Sequence, residues 1–216
     1  MGFEIFIICI WFAFLPGQQR LLNAAIKREF ITPFAARKIS HLTVGLWVVP
    51  LAAFVRRWYL VAIPITMILA ANVHANSQRG NLGRLQKRLF PLVGFLLPEI
   101  LILYFWHQQR SDLVVLAVLA MTVGDTAAAY VGIHFGKRRI PWTGKTVEGG
   151  IANFISTLVV LAGVGHVLYR MPFGLFPLPA ALVALLEAVL PGEWDNPLAV
   201  VVLLVLLGYP LWFSSQ

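Results

Sequence analysis

A single cysteine, Cys9, among 216 residues excludes an internal disulfide and a cysteine-rich metal site. Charge is scarce too. Asp, Glu, Lys and Arg make up 12% of the chain against 59% apolar residues, a balance rare in water-soluble domains. Also missing are internal repeats, low-complexity stretches and any linker long enough to separate a pair of domains, so 1–216 reads as one membrane-embedded domain. The apolar stretches show no period-2 alternation, which argues against an outer-membrane barrel.

What the chain has instead is continuous apolar sequence, near 3–22, 42–55, 58–75, 89–106, 113–133, 151–168, 175–190 and 198–213. A bilayer core of about 30 Å takes about 20 helical residues to cross. These runs predict an all-α, polytopic membrane bundle of about eight transmembrane helices. The first run opens with Glu4 and lacks a basic leader or a small-x-small cleavage site, so it reads as a permanent helix rather than a signal peptide.

Charge placement orients that bundle. With the N-terminus outside, only Arg56, Arg57, Arg110 and Arg170 of the 17 basic residues fall on the outer side. The net charge of +8 is then explained by topology and attraction to anionic lipid, not by nucleic-acid binding. The chemically richest loops all fall on the cytoplasmic side: 37–41, 76–88, 134–148 and 193–196. A site built there from the inner ends of several helices follows, because charged groups in a membrane must be paired or face a wet cavity.

The central motif runs from Gly124-Asp125 through Gly132 and Gly136 to Lys137-Arg138-Arg139, then Gly144-Lys145-Thr146-x-Glu148-Gly149-Gly150. Asp125 lies in an apolar helix, where it serves either a structural ion pair or cap, or Mg²⁺ held against phosphate oxygens. Lys137, Arg138, Arg139 and Lys145 bring positive charge, and Gly136, Gly144, Gly149 and Gly150 permit close backbone approach. The Walker A spacing is absent. Lys145 is the candidate phosphate clamp, with Thr146 beside it; Glu148 is a second metal or base candidate, or a helix cap. Arg37-Lys38-x-x-His41 offers a bidentate fork, a point charge and a histidine one turn on, or else an interfacial basic cluster. Glu187 sits in an apolar helix near the cytoplasmic boundary, and Asp195-Asn196-Pro197 either joins the site or caps the last helix. Asn72, His74 and Asn76 are weaker cavity candidates, and Arg79, Arg84, Lys87 and Arg88 read as topological anchors. Tryptophans such as Trp106, Trp142 and Trp212 fit an interfacial belt.

Gly124-Asp125 with Lys145-Thr146-x-Glu148-Gly149 resembles the signature of the membrane-embedded lipid kinases, which include dolichol kinase, phytol kinase and the CTP-dependent diacylglycerol kinase of fungi. The Lys-Thr-x-Glu-Gly element is also similar to phosphatidate cytidylyltransferase. Arg37-Lys38-x-x-His41-x-x-x-Gly45 and Glu187 with Asp195-Asn196 resemble the kinases' N- and C-terminal elements, so the resemblance runs from Arg37 to Leu198. It implies phosphoryl transfer from CTP to a lipid alcohol such as phytol, a polyprenol or diacylglycerol, with cytidylyl transfer to phosphatidate as the alternative; from the residues alone, a small secondary transporter using Asp125 and Glu187 as ion ligands is a weaker one.

On this reading Asp125, Lys145, Glu148, Arg37 and His41 are catalytic. Lys38, Gly136, Lys137, Arg138, Gly144, Thr146 and Asn196 bind the nucleotide, and Asp125, Glu187 and Asp195 hold Mg²⁺. The expected partners are the lipid substrate, the nucleoside triphosphate and the bilayer, with a homo-oligomer left open.

Overall fold

The computed structural model describes residues 1–77, 92–190 and 194–214, the side chains of 68–77, 92, 93 and 210–214 not included. Among these residues the chain forms nine α-helices: α1 (Gly2–Lys27), α2 (Pro33–Leu46), α3 (Val48–Phe54), α4 (Trp58–Ser77), α5 (Leu97–His107), α6 (Ser111–His134), α7 (Val147–Val160), α8 (Pro177–Val189) and α9 (Asp195–Ser214). A π-helical turn, Leu92–Leu96, leads into α5, and a second, Leu161–Leu168, prolongs α7. Arg79, Arg84, Lys87, Arg88 and Glu193, with the side chains of Asn72, His74, Asn76 and Trp212, lie outside the described residues.

The all-α expectation holds, but the expected count of crossings does not. Three helices among the described residues are long and apolar enough to cross a membrane: Gly2–Lys27, Ser111–His134 and Val147–Leu168. They mark the chain as an integral membrane protein. Of the other stretches, 89–106 and 175–190 form shorter apolar helices, Gly94–His107 and Phe173–Val189, and the apolar parts of α4 and α9 with described side chains are Trp58–Met67 and Asp195–Tyr209. The run 42–55 is divided at Trp47, which closes α2 and opens the seven-residue α3. An apolar run measures hydrophobic length; where a helix ends is set by caps and packing.

The turn from α1 into α2 shows such capping. Glu29 adopts a left-handed backbone (φ 59°), and Phe30 N–H bonds back to the Ala25 carbonyl at 3.0 Å. Thr32 then caps α2, its hydroxyl accepting from Ala35 N–H at 3.1 Å, and Pro33 opens the helix with a φ already suited to it. Gln19 Nε2 donates to Ser40 Oγ at 2.8 Å and Gln18 bonds Thr43, holding the two helices together.

Helix α6 is the axis. Leu113, Leu116, Ala117 and Ala120 are wholly enclosed, and α6 packs against α2, α3, α5, α7 and α9. Phe3, Phe6 and Leu21 of α1 and Ile151, Ile155 and Val159 of α7 are exposed, as lipid-facing residues are.

Small residues set the registers on the axis. Gly45 of α2 lies against Thr122, while Lys38 and His41, earlier on α2, meet Asp125. The two helices therefore run antiparallel. Helix α7 is antiparallel to α6 as well: Gly124 meets Thr157, Ala128 meets Gly149, and Gly132 meets Thr146.

A Cβ on Gly124 would stand 2.5 Å from Thr157 Oγ1 and 3.2 Å from Asn153 Oδ1. Gly124→Ala is expected to destabilise the protein by about 1–3 kcal/mol through overpacking. Adding Thr157→Ala is expected to recover some of that loss, a non-additivity of at least about 0.5 kcal/mol in thermal or denaturant unfolding in detergent.

Candidate active site

Two groups of buried charge form where α2, α6, α8 and α9 meet the loop before α7. In the first, Lys38 Nζ bonds both carboxylate oxygens of Asp125, at 2.8 and 2.7 Å. His41 Nε2 is 3.3 Å from Asp125 Oδ2, within ion-pair range, yet it makes no hydrogen bond. Helical spacing explains the convergence. Residues 38, 41 and 45 share one face of α2, and once Gly45 seats on Thr122 that face meets Asp125 one turn along α6.

The second group centres on Lys145. Its ammonium is 2.5 Å from Asp195 Oδ2, 3.1 Å from Glu187 Oε1 and 2.6 Å from the Glu187 carbonyl. Asp195 is buried at the first turn of α9, and its other oxygen accepts from Asn196 N–H at 2.7 Å. The side chains of Asp125 and Asp195 are only 10% and 4% exposed, so each depends on its lysine: a buried carboxylate stripped of its partner costs several kcal/mol.

The two groups lie within reach of each other electrostatically. Burial holds the His41 imidazole below the usual histidine range, while the charges of both Asp125 and Asp195 pull it up. The neutral form is thereby favoured, with Nε2 beside a carboxylate.

Loop 137–146 folds back on itself. Arg139 and Thr146 form an antiparallel bridge, Ile140 N–H bonds the Lys145 carbonyl at 2.7 Å and Val147 N–H bonds the Arg138 carbonyl at 2.9 Å. Gly144 turns the chain with φ +69°, a conformation that strains other residues. Thr143 Oγ1 donates to the Ala188 carbonyl at 3.0 Å, tying the loop to α8 and aiming Lys145 at Glu187.

Several residues predicted for nucleotide contact are engaged in holding this loop. Thr146 caps α7, its hydroxyl accepting from Gly149 N–H at 3.1 Å. Gly136 packs against Thr146 and the Gly132 backbone, with no room for a Cβ. Glu148, expected as a metal ligand or base, accepts from the backbone N–H groups of Lys137 (3.1 Å) and Arg138 (3.2 Å), so its carboxylate clamps the loop. Lys137 and Arg138 leave their side chains exposed, and Arg37 is exposed with its guanidinium 5.7 Å from the Phe34 ring centre.

The carboxylates expected to form one metal site are divided, Asp125 on Lys38 and Glu187 with Asp195 on Lys145. Among the described residues no group of three or more His, Cys, Asp or Glu is arranged to hold a metal ion. Sequence reasoning misses Thr143, Asn153 and Thr157. Asn153 and Thr157 are buried one turn apart in an apolar helix, and their polar i, i+4 spacing is a signal the sequence does carry.

A model of the cytidylyltransferase family matches residues 2–209. No curated protein and no solved structure matches the chain. The family match overturns the lipid-kinase reading, and with it phosphoryl transfer to an isoprenoid or other lipid alcohol. The Lys-Thr-x-Glu-Gly element is common to both resemblances, and the kinase was the wrong choice between them.

Lys38→Met is expected to destabilise the protein by about 3–5 kcal/mol, because it leaves Asp125 buried and uncompensated. Lys38→Met combined with Asp125→Leu should cost far less. Unfolding midpoints of the two single variants and the double variant, in one detergent, check this.

Proposed function

The chain belongs to the cytidylyltransferase family, and we propose that it transfers the cytidylyl group of CTP to the phosphate of phosphatidate, releasing pyrophosphate and forming a CDP-lipid. The observation that carries this reading is the match across 2–209. The paired groups on Asp125 and Lys145 support it as the place where the phosphates meet, and the membrane-length helices suit a lipid acceptor.

A phosphate oxygen of the lipid attacks the α-phosphorus of CTP, and the bond from that phosphorus to the oxygen of the departing pyrophosphate breaks. The attacking phosphate is already ionised near neutral pH, its second pKa being about 6. No hydroxyl proton has to be removed, so the site requires positioning and charge neutralisation rather than a general base. Lys38 and Lys145 supply the positive charge. Lys38 orients the Asp125 carboxylate, and His41, beside it with Nε2 unengaged, offers a hydrogen bond to a phosphate oxygen.

Mg²⁺ fits the pair on Lys145, because Asp195 and Glu187 provide hard carboxylate oxygens side by side and magnesium sites usually combine one or two carboxylates with substrate phosphates. Bound there, Mg²⁺ would offset the triphosphate charge and ease the departure of pyrophosphate. Asp195 and Glu187, which share Lys145, are the residues that would hold it, with that lysine passing from carboxylate to phosphate as CTP enters.

The same end of the bundle carries Lys27, Arg28, Arg37 and Lys137 to Arg139. Their concentration supports a cytoplasmic location for the site. Arg37, Lys137 and Arg138 then attract nucleotide and anionic lipid without touching the reacting atoms.

CTP labelled separately in the cytosine ring and at the γ-phosphate, offered with phosphatidate and Mg²⁺ to purified protein in lipid, decides the reaction. Cytosine label is expected in the lipid product and γ label in pyrophosphate. Label from the γ-phosphate in lipid, or none from cytosine, would sink the proposal. Lys145→Ala should lower the rate by at least about 100-fold, as loss of a charge-stabilising group does.

A further inference from the structure

One cavity of the protein lies away from the charged site. It measures about 550 Å³ and opens between α3 and the start of α6, with Ala52, Ala53 and Val115 forming an apolar wall and Gln109, Arg110, Asp112 and Tyr169 a polar rim. A second space of about 280 Å³ shares Ala52, Ala53, Gln109 and Ser111 and extends the first to Arg56 and the buried indole of Trp106. Fourteen residues of α6 separate Ser111 from Asp125, about 21 Å of helix. The groove therefore lies at the opposite end of a membrane-length helix from the charged site.

Its polar rim is built: Arg110 and Asp112 form a fixed ion pair in the lining, and Arg56 adds the rim's net positive charge. The Arg110 guanidinium is fixed by Asp112 through two bonds, Nε to Oδ1 at 2.9 Å and Nη2 to Oδ2 at 2.8 Å, and a guanidinium has five N–H donors. Gln109 Nε2 reaches the Arg56 carbonyl at 3.4 Å, joining the two halves of the groove. Burial, with the Asp112 charge nearby, holds the Tyr169 phenol above its ordinary range, so it remains a donor. The Arg56 side chain is exposed at the mouth, between exposed Phe54, which packs on Phe3, and exposed Trp58, aromatics of the kind found at the level of lipid headgroups. Donors and cations on one rim with small apolar residues on the wall match an amphiphile bearing a phosphate.

We propose that this groove binds a structural anionic phospholipid from the leaflet opposite the charged site, its phosphate on Arg56 and Arg110 and an acyl chain along Ala52 and Ala53. The site is separate from the proposed chemistry and stands whether or not cytidylyl transfer is confirmed. It also gives the four outer arginines a use beyond topology for two of their number.

The test uses the full chain in phosphatidylcholine nanodiscs containing a photoreactive phosphatidylglycerol, with adducts located by peptide mapping. Adducts are expected on peptides covering 49–53 and 109–115. Arg56→Gln and Arg110→Gln should each reduce them about fivefold, as loss of one basic residue against anionic lipid does. Ala53→Trp, which fills the cavity and leaves every charge in place, should abolish them while adducts on α1 persist and the unfolding midpoint is unchanged. Equal labelling of the Ala53→Trp variant and the wild type, or equal labelling by a photoreactive diacylglycerol lacking phosphate, would overturn the proposal. If Arg110→Gln fails to fold because Asp112 is left alone, Arg56→Gln and Ala53→Trp decide the outcome.

Discussion

Each buried carboxylate at the charged end of this protein is held by a lysine from a distant region of the chain, and the arrangement of the helices there depends on those pairs. Asp125 on the central helix is matched by Lys38, 87 positions away, and Asp195 by Lys145, 50 positions away. In a low-dielectric setting an unmatched charge costs several kcal/mol, so α2, α8, α9 and the loop before α7 are constrained to the positions that bring the partners together. In the proposed reaction the same lysines would pass from carboxylate to phosphate, since an ammonium that neutralises one anion can neutralise another.

Around those pairs, several residues of the motif serve to hold the loop. Thr143, Thr146, Glu148 and Gly136 are occupied in shaping the loop that presents Lys145, each through contacts with backbone or with one another. A loop that must deliver one ammonium to a fixed place needs many internal ties, because exposed glycine-rich backbone otherwise has too much conformational freedom. The motif reads as chemistry in the sequence, and much of it is scaffolding around one lysine.

Kinase and cytidylyltransferase differ in which phosphorus of the triphosphate is attacked, not in the charges needed to hold it. Both require cations against phosphates and carboxylates suited to Mg²⁺, so Asp125, Lys145 and Glu187 could not tell them apart. The match across 2–209 separates the two because it draws on the whole chain. The overcount of crossings has a similar origin: hydropathy reports apolar composition, and the break at Trp47 leaves no mark in it.

The sequence by itself determined the all-helical class, the membrane-length helices α1, α6 and α7 with its π-helical extension, and the residue types available at the charged end, because apolar length and charge placement are local properties of the chain. It also exposed Asp125, Lys145, Glu187 and Asp195 as candidates, since charged residues stand out in apolar surroundings. Only the tertiary structure decided that Lys38 and His41 meet Asp125, that Lys145 bridges Glu187 and Asp195, and that Glu148 clamps a loop. Those outcomes follow from the close seating of Gly45 on Thr122 and of Gly124 on Thr157, which sets the helix registers. A register of that kind arises from contact between two surfaces, and neither surface alone encodes it.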